Sequence, residues 1–370
     1  SDAKSLISDA STALVELFPM SDKTVVFVVL HQRPVDETTV IIRDYTETDV
    51  ADDMKAVRDK AQITDTLRKL YDRLLVPIKP YLTEVNKIIF VPYSGLHLLP
   101  LHAMFTEENG VRKYLVDDFM VTYAPSAKVL RQCLGMEKRG RDRGFVASAD
   151  PTGNLPYSPH EAQAVARHFG AEVNRRSTRQ EFISRGREAQ IVHYTGHADG
   201  NALILHADKT SRQTDLYDVG DIFVSLDMPE SSLVTLSACE TGKVRLSKTD
   251  EYIGLPSAFL HAGAATVICS LWRVSDLSTT LLMGKMYELM DEGLGKAESL
   301  RAAQRWLKDP AKREEHLAEI RKFAPKAVTS KGGVADSRRF RRTRGKVEAI
   351  LPQDLHNPYY WAGFICTGAP

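Results

Sequence analysis

Cysteine is scarce in this sequence, with four residues in a chain of 370 and none of them in a Cys-x-x-Cys pair. The four are Cys133, Cys239, Cys269 and Cys366. So sparse a set excludes a disulfide scaffold. It fits a reducing compartment, which would also keep a catalytic thiol free.

Long apolar runs are missing as well. No run approaches the roughly 20 residues that a helix needs to span a bilayer. The N-terminus lacks the basic region followed by an apolar stretch that marks a signal peptide. We therefore expect a soluble, cytoplasmic protein that does not engage a membrane. The formal net charge is only +1, so bulk electrostatics indicates no particular partner.

Motifs for cofactors and metals are also absent from the sequence. It contains no GxxxxGK[ST] phosphate loop. Histidines such as His193, His206 and His261 do not have metal-ligand spacing. We expect neither a cofactor nor a catalytic metal.

Short apolar, β-branched runs alternate with helical patterns along the chain, and this rhythm predicts an α/β fold with a mostly parallel sheet covered on both faces. The predicted strands are 25–30, 38–43, 87–92, 145–148, 190–194, 232–236, 265–271 and 362–366. The predicted helices are 1–20, 50–76, 159–169, 276–291 and 297–324. A polar, charged run at 137–144 predicts a boundary between two α/β subdomains, 1–138 and 139–370.

Two of the predicted strands end in small residues followed by one reactive side chain. His197 follows the strand that begins near 190, and Cys239 follows the strand that begins near 232. From 197 to 239 is 42 residues, which leaves room for one crossover between neighbouring parallel strands. Because active sites of open α/β sheets lie at the carboxyl ends of the strands, we expect these two side chains to meet there.

An imidazole beside a thiol is suited to peptide hydrolysis. His197 would act as general base, and the Cys239 thiolate would attack the peptide carbonyl. The backbone N–H groups of Gly196 and Cys239 are the expected oxyanion donors. No third member is evident, so a dyad is predicted. From spacing alone the alternative stays open that the cysteine is a small buried hydrophobe and the histidine a satisfied polar residue.

An ordered set of motifs resembles the CHAT family, a branch of the caspase-like cysteine peptidases related to separase. The matching segments are 90–100, 123–126, 155–156, 161–162, 193–197, 236–241, 254–260, 262–264, 270–276 and 357–364. The resemblance implies a caspase-like α/β fold in which an inactive pseudo-caspase half precedes an active half. It also implies that His197 and Cys239 are catalytic. The caspase signature Gln-Ala-Cys-x-Gly is absent, so specificity for aspartate is not expected.

Three residues are candidates for substrate binding. In separase-like relatives an acid at a position similar to Asp276 lines the pocket for the residue before the cut, where it would pair with Arg or Lys. Asp276 is alternatively a cap for a helix beginning near Leu277. Trp272 is either a pocket wall or core, and Glu240 either sets local charge or is simply solvated. The polar stretch 242–250 is a hypothetical activation loop.

The resemblance further implies a protein substrate, a regulatory protein partner and a role in bacterial defence or regulated proteolysis. Six basic residues within 338–346 favour a solvated loop over a nucleic-acid site, so nucleic acid is expected only indirectly. Two other functions remain open. One is a catalytically silent interaction platform, and the other is a cysteine-dependent hydrolase or transferase of small amides.

Overall fold

The computed structural model describes residues 3–7, 9–31, 33–136, 144–149, 155, 157–199, 201–208, 213–238, 244–246, 252–312, 314–316, 318–319 and 355–370. Within these residues one sheet has eleven strands, and three smaller sheets have two or three strands each. In chain order the strands are β1 (Thr12–Pro19), β2 (Thr24–Leu30), β3 (Thr39–Ile42), β4 (Lys87–Pro92), β5 (Phe105–Glu108), β6 (Val111–Tyr114), β7 (Met120–Tyr123), β8 (Phe145–Ala149), β9 (Val173–Asn174), β10 (Ile191–Gly196), β11 (Ala198–Asp199), β12 (Ala202–His206), β13 (Thr214–Asp218), β14 (Leu233–Ala238), β15 (Val244–Leu246), β16 (Tyr252–Gly254), β17 (Thr266–Ser270) and β18 (Phe364–Gly368).

Helices cover the large sheet. In chain order the α-helices are α1 (Glu47–Ala56), α2 (Ile63–Leu70), α3 (Leu115–Asp118), α4 (Ala127–Met136), α5 (Ser158–Arg167), α6 (Arg179–Glu188), α7 (Val219–Ser225), α8 (Leu255–His261), α9 (Asp276–Asp291), α10 (Lys296–Lys308) and α11 (Pro358–Trp361). Short 3-10 helices lie at Ala3–Leu6, Asp36–Thr38, Lys79–Tyr81, Ser94–Leu98, Leu101–Ala103 and Pro310–Lys312, and a π-helical turn at Tyr71–Leu75 continues α2.

The large sheet is mostly parallel. Its strand order is β3-β2-β1-β4-β7-β18-β17-β14-β10-β8-β9. Of these ten neighbouring pairs, seven are parallel and three are antiparallel, namely β2 with β3, β1 with β2, and β17 with β18. The predicted α/β class with a mostly parallel sheet is therefore confirmed. The sheet runs through both predicted subdomains, and the division into 1–138 and 139–370 stays a prediction.

Strands at the centre of the sheet are buried on both faces. All six residues of β14 and all five of β17 are buried, and both strands are apolar or small throughout. A parallel strand with helices on both faces has no solvent side, which explains why these segments carry no charged residue and are apolar at most positions. The strands predicted from such runs are found within two residues of their expected positions.

Three of the helix predictions need correction. The predicted helix over 50–76 is divided into α1, α2 and the π-helical turn, and the one over 297–324 is found as α10, which ends at Lys308. The predicted helix over 1–20 is wrong. Residues Thr12–Pro19 form β1, which pairs antiparallel with β2 and parallel with β4. Leu6, Ile7 and Leu14 pack together in a small cluster. Pairing on both edges of β1 satisfies its backbone groups within the sheet, and this tertiary context overrides a weak local pattern.

Candidate active site

The site is built on the carboxyl ends of β10 and β14. These two strands are parallel neighbours in register, and the last pair of partners is Gly196 with Ala238. The sequence prediction that the crossover would bring these strands side by side is confirmed. His197 is the next residue after Gly196. Cys239 and Glu240, which follow Ala238, lie outside the described residues.

The backbone at His197 is held by two donors. The hydroxyl of Tyr194 donates to the His197 carbonyl oxygen at 2.7 Å, and the N–H of Ile204 donates to the same oxygen at 3.2 Å. The Tyr194 hydroxyl also lies 2.8 Å from the carbonyl oxygen of Ile204. Since Tyr194 is fully buried, its hydroxyl ties the residue after β10 to β12 through a fixed ring.

The end of β14 is fixed in a similar way. The hydroxyl of Ser270, at the end of β17, donates to the carbonyl oxygen of Ala238 at 2.6 Å. Ser270 is completely buried. The backbone is thus tied down at His197 itself and at Ala238, the residue before Cys239.

Polar side chains interrupt the apolar pattern on one face of these strands. Side chains alternate across a strand, so His193 and Thr195 share one face of β10, and Thr235 and Ser237 share the same face of β14. The register sets His193 beside Thr235 and Thr195 beside Ser237. Helices α5 and α9 cover this face: the Ser158 hydroxyl in α5 donates to the Thr195 carbonyl oxygen at 3.1 Å. In α9, the Tyr287 hydroxyl lies 2.8 Å from the Thr235 hydroxyl.

Beneath α5, this face holds a buried acid–imidazole pair. Glu161 Oε1 lies 3.0 Å from His193 Nε2, and the two side chains are 1% and 0% exposed. An ionised carboxylate only accepts hydrogen bonds, so an N–H at Nε2 is the donor. Among the described residues, neither Glu161 Oε2 nor His193 Nδ1 has a hydrogen-bond partner.

A pocket of about 270 Å³ opens at this point. It is smaller than the roughly 300–1,000 Å³ typical of pockets for drug-sized ligands, and its size suits one amino-acid side chain. Its lining comes from α5, β10 and the residue after it, β14, α9 and the segments before α5 and α9: Leu155, Glu161, Thr195, Gly196, His197, Ser237, Ala238, Arg273, Val274, Asp276 and Thr279. The predicted residues His197, Gly196 and Asp276 are therefore brought together around one cavity.

Asp276 is the first residue of α9. The N-cap position is Ser275, so the alternative that Asp276 itself caps the helix is not observed. Its Oδ2 accepts a hydrogen bond from the backbone N–H of Tyr157 at 3.0 Å, which ties the segment before α5 to α9. A carboxylate in the first helical turn is also favoured by the helix dipole. Asp276 thus has a structural contact and a position in the pocket lining at once.

Trp272 does not lie in that lining. Its ring is 2% exposed and stacks on Tyr359, and its Nε1–H donates to the Tyr359 carbonyl oxygen at 3.1 Å. Of its two proposed roles, this placement corresponds to the core. Three predictions concern residues outside the described parts of the chain. They are the substrate role of Glu240, the loop 242–250 apart from the strand β15, and the basic run 338–346.

The three described cysteines lack the accessible, readily ionised thiol that a nucleophile needs. Cys133, Cys269 and Cys366 are all buried. Burial raises the pKa of the Cys269 thiol far above its usual value, and the nearby Cys366 adds to this effect. A thiol in such surroundings is inert, since the thiolate is the reactive form.

Two structural findings bear on membranes and metals. Across the described parts of the chain, every helix is too short or too polar to cross a bilayer. Within the same residues, no three His, Cys, Asp or Glu side chains are grouped so that they could hold a metal ion. The expectation of a metal-free site stays a prediction.

Sequence reasoning missed Glu161, His193, Ser237 and Thr279 as parts of the site. The sequence carried a signal for His193 and Ser237, because polar residues recur at every second position at the ends of two otherwise apolar strands. Glu161 and Thr279 lie on helices, and their distance from the strands could not be seen in the sequence.

The sequence profile of the CHAT domain matches residues 64–369. A search of curated proteins gave no match. The predicted resemblance to the CHAT family is therefore confirmed.

Solved structures with a similar fold include separase in the separase–securin complex of Saccharomyces cerevisiae. The TM-score is 0.62 at 9% identity, and the alignment covers 100% of this chain but 30% of that one. The chain thus spans less than a third of separase. Weaker similarities are found to the Arg-specific cysteine proteinase gingipain R (TM-score 0.46, 10% identity, 99% of this chain and 78% of that one). Another similarity is to the complex of the Porphyromonas gingivalis RgpB pro- and mature domains. Its TM-score is 0.45 at 12% identity, and the alignment covers 88% of this chain and 76% of that one. The likeness to separase supports the caspase-like α/β fold.

Proposed function

Because the chain belongs to the CHAT domain family, we propose that it is a cysteine endopeptidase with a catalytic dyad of His197 and Cys239. One observation carries this proposal: β10 and β14 end in register at Gly196 and Ala238, directly before the two residues. In both strands the next residue along the chain is the one with the reactive side chain.

The chemistry assigns a separate task to each group. His197 removes the thiol proton, and the Cys239 thiolate forms the S–C bond to the substrate carbonyl carbon. The imidazolium then protonates the leaving amine as the C–N bond breaks, and water releases the acyl group in a second step. The N–H groups of Gly196 and Cys239 are the proposed donors to the oxyanion.

The pocket beside His197 is proposed to hold the substrate residue before the cut, and Asp276 is proposed to select a basic side chain there. Among the described residues, this pocket is lined by two carboxylates, Glu161 and Asp276, and by one arginine, Arg273, with no lysine. Arg273 is exposed, so water and salt screen its charge more than that of the buried Glu161. The N-terminus of α9 adds about half a positive charge near Asp276, which does not outweigh two carboxylates. The pocket therefore favours Arg or Lys and disfavours Asp or Glu.

We further propose that the physiological substrate is a protein and that a regulatory partner controls access to the site, in a bacterial defence or regulated-proteolysis pathway. The size of the pocket supports recognition of single residues, and recognition of a whole protein requires surfaces beyond it. The loop 242–250, which follows Cys239 in the sequence, is the proposed gate.

Digestion of a proteome-derived peptide library tests the proposal. Wild-type protein should generate new termini, and the residue before each cut should be Arg or Lys. The Cys239→Ala and His197→Ala variants should generate none.

Asp276→Asn separates the specificity claim from the catalytic claim. It should lower cleavage after basic residues by about a hundredfold, because it removes one member of a charge-assisted pair. Cuts that persist in Cys239→Ala would contradict the dyad. Cuts after acidic residues in the wild type would contradict the pocket assignment and leave the dyad standing.

A further inference from the structure

We propose that Glu161 is a second specificity-determining carboxylate at the inner end of the pocket, positioned by His193, and that it makes the site select arginine over lysine. This inference rests on the proposed function, since it names the substrate residue that the same pocket takes. Glu161 lies in the pocket lining together with Asp276.

Burial distinguishes the two carboxylates. Glu161 is 1% exposed, whereas Asp276 is partly exposed. Of the two, Glu161 therefore lies deeper in the lining. Burying a carboxylate is unfavourable unless its oxygens are hydrogen-bonded. Only Oε1 of Glu161 has a partner, and Oε2 has none among the residues that the structure describes.

Two hydroxyls of the same lining are also buried and without hydrogen-bond partners among the described residues. Ser237 and Thr279 are each 5% exposed, and within the described part of the chain their hydroxyl oxygens lack hydrogen-bond partners. Buried polar atoms are paired in the great majority of native structures. Three acceptors that lack partners within the described residues lie around one cavity, namely Glu161 Oε2 and these two hydroxyls, and they point to a ligand that brings several donors.

His193 acts as a positioning residue for this carboxylate. Its imidazole is completely buried and packs edge-on against the Tyr287 ring, 5.4 Å between centroids. Held in this way, its Nε2 binds Glu161 Oε1 at 3.0 Å, and Oε2 is left without a partner among the described residues. A carboxylate with a fixed orientation offers a directed acceptor rather than a mobile charge.

A directed, deeply placed acceptor favours a guanidinium over an ammonium. Arginine presents five N–H donors in a rigid planar fork, whereas lysine presents three donors on a compact point charge. On this proposal, the fork of an arginine donates to both carboxylates and to one of the hydroxyls. Lysine cannot donate in so many directions from one nitrogen, so it leaves more of these buried acceptors unpaired.

The test uses three peptides that differ only in the residue before the cut, which is arginine, lysine or citrulline. Wild-type protein should cleave the arginine peptide with a kcat/KM at least about tenfold above that of the lysine peptide, and the citrulline peptide least. Glu161→Gln should bring the ratio of arginine to lysine close to one, mainly through the loss for arginine. Asp276→Asn should lower both basic peptides together.

Asp291→Asn is the matched control, because Asp291 also pairs with a histidine, His168, at 3.0 Å, but lies outside this lining. It should leave the ratio unchanged. His193→Gln should shift the ratio in the same direction as Glu161→Gln, which a purely structural role of the imidazole would not do. A Glu161→Gln protein that keeps the wild-type ratio overturns the inference, and so does one that loses both basic peptides equally.

A binding measurement provides a second test. It applies if the Glu161→Gln variant folds poorly or if the wild-type chain cleaves none of the three peptides. Agmatine, which carries a guanidinium at one end and an ammonium at the other, should raise the unfolding temperature of the wild type more than cadaverine, which carries an ammonium at both ends, at the same concentration. Glu161→Asp, which keeps the charge and draws the carboxylate back, should reduce that difference. Equal effects of both compounds overturn the inference. A Glu161-dependent agmatine effect in a protein that cleaves no peptide supports the pocket and contradicts the proposed peptidase.

Discussion

Tyr194→Phe removes one oxygen atom and tests how the backbone at His197 is held. The lost hydroxyl lies 2.7 Å from the carbonyl oxygen of His197 and 2.8 Å from that of Ile204, and the ring is fully buried. Losing a buried hydrogen bond of this kind costs about 1–2 kcal/mol, at the lower end because His197 O keeps the N–H of Ile204. With an unfolding entropy of about 2.1 cal/mol/K per residue, the unfolding temperature of a 370-residue chain should fall by about 1–3 °C.

The effect on catalysis should be larger than this small loss of stability suggests. His197 would gain freedom relative to the proposed nucleophile, and a small misplacement of a catalytic group lowers kcat/KM by about tenfold or more. Cleavage of an arginine peptide measures this. The matched control is Tyr217→Phe, which removes a buried hydroxyl bonded to Ser225 at 2.9 Å. It should lower the unfolding temperature similarly and leave kcat/KM unchanged. If both variants cleave as fast as wild type, the Tyr194 hydroxyl does not position His197.

Other predictions concern stability alone. Gly363→Ala should destabilise the fold by about 1–3 kcal/mol in chemical denaturation, because the added Cβ would lie 2.6 Å from a methyl group of Val274. The control Gly135→Ala adds a Cβ with nothing within 4 Å, so it should be neutral or stabilising. Equal effects of the two substitutions on the free energy of unfolding would contradict the packing around Gly363. Burial lowers the pKa of both His97 and His102 from 6.5 to about 3. A depressed pKa means that protons bind the unfolded chain preferentially, so stability is complete above pH 6.5 and declines as the pH falls towards 3. The decline should be about 2 kcal/mol per histidine between pH 6.5 and 5, and His102→Gln should lose its share of that slope in denaturation curves measured at several pH values.

The central strands could be predicted because their burial determines their composition. A strand covered by helices on both faces must be largely apolar, and 87–92, 232–236 and 265–271 are apolar at most positions. For 1–20 the pairing partners decide the conformation. Thr12–Pro19 becomes a strand because β2 and β4 bind its two edges, and neither partner is visible in the local pattern.

The candidate site was predictable only in part. His197 and Gly196 could be placed because they end a strand, and parallel strands end at one edge of the sheet. Glu161 and Thr279 reach the same pocket from α5 and α9, and their positions depend on how those helices pack across the sheet. The sequence alone also left the role of Asp276 open. Its bond to the backbone N–H of Tyr157 spans 119 residues, and no local rule predicts such a contact.

The rate at which iodoacetamide alkylates Cys239, measured between pH 5 and 9 in the wild type and in His197→Ala, tests the central claim most directly. The other three cysteines are buried, so the folded chain should be labelled at Cys239 alone. In the wild type the rate should remain high well below the ordinary thiol pKa of about 8.5, and in His197→Ala it should follow that ordinary value. Identical profiles for the two proteins would contradict a dyad of His197 and Cys239.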